Sequence, residues 1–333
     1  MGGRTSRQFK WIAWAAVLTL LAGCEAKLRL QDVEAAKHEP IRRSDQFQAA
    51  VASDPLLVVV GLHGIVVTSA DHGATWTRHE LAGWPSLIGL TRCPNGSLVA
   101  LAYEGELWTA PATAETWVRQ KIETKETPQA ITCDPTGQLW VVGSYSSILN
   151  SADGGKTWKS QSLDDDLFLT SVQFVDAKNA IATGEFGTIV KSTDAGATWQ
   201  KQDPMPEEFY PEDTWFKDAL TGWSVSLRGR LLGTTDGGAT WTMQETPTVA
   251  PLFKLGAAGA VPLAVGGDGV VLRRVDDAWQ AVTYEDPYNL YLRVLLPVGD
   301  KLLIAGGSGA LRVIPLANTN KAVADAGPAM LTR

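Results

Sequence analysis

The chain has 333 residues, 45% of them hydrophobic, and 29 lysines and arginines are outnumbered by 36 aspartates and glutamates, for a formal net charge of −7. That balance gives no electrostatic support for nucleic-acid binding, which rests on neutralising phosphates. Histidines 38, 63, 72 and 79 are scattered, no zinc-type His/Cys cluster occurs, and neither a phosphate loop nor a Gly-x-Ser-x-Gly elbow is found.

Arg4, Arg7 and Lys10 precede a short apolar run from Trp11 to Leu21, which ends at Leu21-Ala22-Gly23-Cys24. A membrane-spanning helix needs about 20 residues, so this run reads as an export signal with a small-residue cleavage site. It resembles a bacterial lipoprotein signal with its lipobox. The likeness implies cleavage before Cys24, acylation of Cys24 and, with Glu25 next to it, sorting to the outer membrane on the periplasmic side of the cell envelope. Several acyl chains anchor firmly where one is marginal. Residues 1–23 are then a signal peptide and 24–44 a tether that includes a closing strand. Removing the signal takes away three positive charges and leaves 26 basic against 36 acidic residues, or −10.

Four copies of one eight-residue pattern follow at even spacing. They are Ser69-Ala-Asp71-His-Gly73-Ala-Thr75-Trp76, Ser151-Ala-Asp153-Gly-Gly155-Lys-Thr157-Trp158, Ser192-Thr-Asp194-Ala-Gly196-Ala-Thr198-Trp199 and Thr234-Thr-Asp236-Gly-Gly238-Ala-Thr240-Trp241. Adding Trp117 and Trp279 gives tryptophans 41, 41, 41, 42 and 38 residues apart. A Gly-rich turn lies about twelve residues before each of these tryptophans. A seventh such turn, Gly306-Gly-Ser308-Gly309, marks a last unit without a tryptophan. Within a unit the apolar and β-branched runs predict four short strands, as at 169–175, 180–183, 188–192 and 198–202. Seven such units near 40 residues long define an all-β fold, a seven-bladed β-propeller of four-stranded blades over residues 45–317. The last unit supplies three strands. The expectation is that part of Leu28 to Val33 or Pro40 to Arg43 adds the fourth, so that an N-terminal strand closes the ring and leaves no open edge. Residues 318–333 read as a loose polar tail.

In each acidic turn the glycine supplies a positive φ, the aspartate accepts backbone N–H groups, and the tryptophan packs between blades. The turns resemble the Asp-box of sialidase-type (BNR) repeats. That makes Asp71, Asp153, Asp194 and Asp236, with Trp76, Trp158, Trp199 and Trp241, structural rather than catalytic. Cys93 and Cys133 occupy matching places in successive units; a disulfide between them and a pair of small buried hydrophobes are equally open readings.

The opposite face, made of the turns between second and third strands and the links between blades, differs from unit to unit, as a binding surface does. Its expected partner-binding residues are Asp164, Asp165 and Asp166, then Glu207, Glu208, Phe209 and Tyr210, then Tyr284, Glu285 and Tyr288, with Arg228 and Arg293; the turns of this face also present His63, Glu104, Tyr145, Glu185, Phe186 and Asp268. Acids mixed with aromatics and prolines suit a protein contact.

A sialidase-like, glycan-active or glycan-binding propeller is the alternative reading. It would need converging arginines, for which Arg92, Arg228, Arg273, Arg293 and Arg312 are available, and a nucleophile such as Tyr288 or Tyr291 beside Glu285. Yet sialidases with this motif have six blades and long insertions, whereas these units are seven and nearly uniform. Over residues 45–316 the chain more closely resembles the photosystem II stability/assembly factor-like family of BNR propellers. The likeness implies a non-enzymatic assembly or stability accessory that holds an envelope membrane protein or complex. Similar lipoproteins also occur in bacteria without photosystems, some encoded near RND-type exporters. No cofactor, metal, nucleic acid or small-molecule substrate is expected.

Overall fold

The structure, a computed structural model, describes residues 30–285, 287 and 289–316. Cys24 and Tyr288, the signal segment and the tail beyond residue 316 lie outside the described residues. The chain divides into two compact units, Met1–Glu39 and Pro40–Arg333. In the first, Leu30–His38 forms one α-helix carrying a Lys37–Glu34 ion pair.

The second unit is a seven-bladed propeller. Six antiparallel sheets have four strands each, laid down in chain order, and the seventh has three. The innermost strands are Phe47–Ser53, Leu87–Arg92, Pro128–Cys133, Leu169–Phe174, Asp213–Phe216, Leu252–Ala258 and Leu292–Val298. In the fourth blade the strands are Leu169–Phe174, Ala180–Gly184, Thr188–Ser192 and Gln200–Lys201, close to the sequence-based expectation.

Closure corrects the sequence reading. Leu30–Val33 lies in the helix, Pro40–Arg43 forms no strand, and among the described residues no fourth strand joins blade seven. The ring closes instead by side-to-side packing and a short crossing. Trp76 of blade one packs among Val294, Leu303 and Val313 of blade seven. The Gly309 N–H of blade seven donates to the Asp45 carbonyl at 2.8 Å. Apolar contact between blade faces replaces the strand pairing, because a propeller blade already buries both of its faces against its neighbours.

The tryptophan of each Asp-box or its degenerate form packs in a cluster shared with the preceding blade. Trp158 joins Leu101 and Leu107, Trp199 joins Trp140 and Val142, Trp241 joins Ile181 and Ile189, and Trp279 joins Trp223 and Leu231. The indole N–H of Trp158 donates to the Gly155 carbonyl at 3.0 Å and that of Trp241 to Gly238 at 3.1 Å, whereas Trp199 Nε1 is buried with no partner. The box glycine touches the neighbouring blade too. At Gly73 (φ +90°) a Cβ would meet Val313 Cγ2 at 2.4 Å, so both the backbone angle and the space demand glycine.

The box itself is a closed hydrogen-bond set. Ser69 Oγ donates to Asp71 Oδ1 at 2.7 Å and accepts the Gly73 N–H at 2.8 Å. The Thr75 N–H donates to Asp71 Oδ1 at 2.9 Å, and Thr75 Oγ1 to Oδ2. The other three boxes repeat this pattern. The aspartate thus reaches four residues ahead, farther than an Asx-turn. The opening Ser or Thr, silent in the sequence reading, serves as both donor and acceptor.

Hydrogen bonds from the Thr hydroxyl, then the Thr N–H, then the opening hydroxyl (Ser in three boxes, Thr234 for Asp236) hold the Asp153 and Asp194 carboxyls at about 2, and Asp71 and Asp236 lower still. A carboxylate depressed in the folded state binds its proton more readily when unfolded. Its stabilisation is therefore complete above about pH 4 and lost as pH falls through the folded value. Acid titration followed by circular dichroism should show the melting temperature dropping steeply from pH 4 to 2. A D153N/D194N variant should be less stable at pH 7 but flatter over that window. An unchanged slope would show that the boxes do not carry the acid response.

Cys93 and Cys133 are disulfide-bonded, with Cα atoms 5.2 Å apart. The bridge ties the ends of the innermost strands of blades two and three on the Asp-box face.

Candidate functional face

Each innermost strand begins on the face opposite the Asp-boxes, where the turns between second and third strands and the links between blades also lie. Among the described residues five aromatic side chains are exposed: Trp84, Tyr103, Tyr145, Phe186 and Tyr210. All five belong to this face. Tyr103, Tyr145 and Phe186 sit on the turns of blades two, three and four, and Trp84 and Tyr210 on links between blades. Leu227 and Val249, exposed as well, extend the same arc toward blade six.

Local backbone geometry explains part of that exposure. In six of the seven turns a non-glycine residue adopts a left-handed conformation, namely His63, Tyr145 with Ser146, Phe186, Arg228, Asp268 and Ser308. A bulky residue there costs free energy relative to glycine. Phe186 holds φ 56° with 72% of its surface exposed, so neither backbone ease nor burial accounts for a phenylalanine at that point. Strain of this kind concentrates at ligand-contacting sites.

The expected site residues divide. Asp164, Asp166, Glu207, Glu208, Glu285 and Arg228 are exposed on this face. Asp165 pairs with Lys201 across the link, and Glu207 with Arg230 at 3.3 Å. Tyr210 donates its hydroxyl to Glu185 Oε1 at 2.9 Å. Burial first, and then Glu185, push its phenol up to about 12. Two residues need correction. Phe209 is wholly buried among Ile189, Met205 and Leu232 with the Arg230 guanidinium over its ring, because the Pro206–Tyr210 link folds inward to cover blade five. Tyr284 is a strut, donating to the Gly269 carbonyl at 2.6 Å and packing beside Leu302 and Ile314. Trp84 and Tyr103 were missed as contact residues. Tyr103 heads one of the repeat-breaking turns and was open to detection, whereas nothing in the pattern around Trp84 distinguishes it from a core tryptophan.

At the axis of this face lies a well of about 210 Å³. Six of the seven innermost strands open with a register slip that turns one extra side chain inward. In five of these six blades a glycine ending the second strand allows this close approach, blade two having Ala102 there instead; at Gly306 a Cβ would stand 1.9 Å from the Tyr291 carbonyl oxygen. The extra residues, with Glu212 at the corresponding place in blade five, all line the well and have no chemistry common to all seven: Gln48, Ile88, Gln129, Thr170, Glu212, Phe253 and Arg293. Arg293 lies over the Phe253 ring at 4.8 Å and 3.9 Å from Glu212. Burial, outweighing the pull of Arg293, raises the Glu212 carboxyl above its ordinary range.

The arginines that a sialidase would converge do not meet. Arg92 ends its innermost strand and Arg293 opens its own, at opposite faces. Arg273 donates to the Leu316 carbonyl and Arg312 to that of Glu285 on outer strands. Tyr291 donates to Gln46, not to a glutamate. Among the described residues no cluster of three or more His, Cys, Asp or Glu could hold a metal ion.

Fold and turns together define a seven-bladed BNR-repeat propeller whose two faces differ, one regular and one variable. Residues 109–203, from the third strand of blade two through blade four, match the family model described as photosynthesis system II assembly factor YCF48. The likeness to the photosystem II assembly factor-like family of BNR propellers, read from the Asp-boxes, is thereby borne out. The solved structure of YCF48 bound to D1 peptide is 14% identical, with a TM-score of 0.67 over 84% of this chain and 94% of that one. YCF48 from Cyanidioschyzon merolae is 15% identical, with a TM-score of 0.67 over 82% and 95%. A catalytically inactive virginiamycin B lyase from Staphylococcus aureus, solved with quinupristin, is 12% identical, with a TM-score of 0.71 over 83% and 96%. At these identities the likeness establishes a shared fold. No curated protein matches the chain.

Proposed function

We propose that the protein is a non-enzymatic accessory that binds an envelope membrane protein or complex and promotes its assembly or stability, using the variable face of its propeller. The observation that carries this reading is the arc of exposed aromatics, confined to one face and mounted in part on strained turns. Aromatic side chains bring large contact area at small entropic cost and are enriched where proteins meet. A structural relative solved with a D1 peptide supports a polypeptide as the partner class. The lipoprotein-type signal with Cys24 supports a tether on the periplasmic side, in the outer membrane; among the described residues no helix is long and apolar enough to cross a bilayer. The reading covers an assembly factor of photosystem type and an exporter-associated accessory alike, and the partner recovered decides between them.

Photo-crosslinking in intact cells tests the proposal. A crosslinking residue at Tyr145 or Phe186 should capture a discrete membrane protein, while one at His72 or Ala195 on the Asp-box face should not. Capture from both faces alike, or from neither, would refute the assignment.

A further inference from the structure

We infer that the axial well binds an α-amino carboxylate, the paired N–H donor and carboxylate carried by a free amino acid or by the last residue of a polypeptide. The inference extends the reading of this face as a binding surface and rests on different residues from the aromatic arc.

Arg293 is held against an aromatic ring. Its guanidinium stacks on Phe253, whose ring meets Tyr291 edge-on at 6.5 Å, and the Tyr291 hydroxyl is fixed by Gln46 at 3.2 Å. A planar fork positioned in this way matches a carboxylate with two parallel hydrogen bonds. Its acidic neighbour does not fill that role, since 3.9 Å exceeds a hydrogen bond. Among the described residues neither Arg293 nor the Glu212 carboxyl makes a side-chain hydrogen bond, although Glu212 is four-fifths buried. Arg293 is 41% exposed, so its fork is open to a guest, and one that bridges it to the Glu212 carboxylate would gain charge-assisted hydrogen bonds to both groups.

The other charges at the well are already occupied. Asp213 accepts the Leu255 N–H at 2.9 Å and pairs with Lys254 at 3.1 Å. That leaves one donor fork and one acceptor a few ångströms apart, the arrangement that receives a carboxylate and its adjacent N–H together. The amides of Gln48 and Gln129, with no hydrogen bonds of their own among the described residues, face the remaining polar edge. At about 210 Å³ the well admits a single small residue.

Calorimetric titration of the full chain with L-alanine, N-acetyl-L-alanine and an acetylated tetra-alanine, as free acid and as amide, tests this. At least one carboxylate probe should bind, and Arg293→Gln should weaken it roughly tenfold or more, with Arg293→Lys between. Binding of L-alanine alone assigns the well to free amino acids. Binding of both acylated acids but not the amide assigns it to polypeptide ends. No heat from any probe with the wild type, or binding that Arg293→Gln leaves unchanged, overturns the inference. Because the probes are read on the wild type first, a variant that misfolds does not decide the outcome. Crosslinking from Phe186 reports on the arc separately, so either reading can fail alone.

Discussion

Replacing Asp45 by alanine should lower the stability of the propeller by about 3–5 kcal/mol, the usual cost of removing one partner from a buried ion pair. The Asp45 side chain is fully buried, and both of its oxygens are engaged. They accept Arg78 Nη1 at 2.8 Å and Nη2 at 3.1 Å, and the Arg42 N–H at 2.7 Å. Arg78, on the outermost strand of blade one, is itself only 11% exposed, so the alanine variant leaves a guanidinium in low dielectric with Glu80 as its remaining acid. The same residue carries the carbonyl that receives Gly309 from blade seven. The clamp therefore orders the segment that crosses the ring closure. Guanidinium denaturation at pH 7 measures the cost, and Asp45→Asn, which keeps the shape and one acceptor, should lose less. A loss below about 1 kcal/mol would mean that closure rests on the apolar packing between the blades and the backbone bond, and not on the Asp45 carboxylate clamp.

Breaking the Cys93–Cys133 bridge should be comparably severe. The cysteines are 40 residues apart, and in the chain-entropy account closing a loop of that length stabilises by about 4 kcal/mol. Because the bridge joins neighbouring blades at their inner strands, its loss also frees the blade two–three contact in the unfolded ensemble. A double Cys→Ser variant, or reduction of the wild type, should move the denaturation midpoint down clearly with the native circular dichroism spectrum retained. A midpoint unchanged by reduction would show the bridge to be energetically idle.

Much of the architecture was legible because the repeat is a spacing. Six tryptophans at near-constant intervals and seven Gly-rich turns give blade number and strand order, and the four acidic turns separate a structural face from a variable one. What escaped was set by single contacts rather than by period. The segment 40–46 offers no pattern that distinguishes a pairing strand from an irregular clamp around Asp45. Phe209 sits in an acidic, proline-bounded loop whose composition suggests exposure, yet the loop turns it under Arg230. The axial ring was hidden for the opposite reason. Its seven members come from equivalent backbone positions but only Gln48 and Gln129 share a side-chain type, so no motif connects Gln48 with Arg293 until the register slips are seen. The exposure of Trp84 likewise depends on the path of one link, which local sequence does not specify.

The central claim is that the aromatic arc is the partner-binding surface, and alanine at Tyr103, Tyr145 and Phe186 together, read by crosslinking from a probe at Trp84 in cells, tests it most directly. These side chains are exposed turn residues, so the fold and its melting temperature should be retained. The recovered partner should fall roughly tenfold or more, as hot-spot aromatics do when truncated. Recovery equal to that of the unsubstituted protein, with the fold intact, would contradict the account.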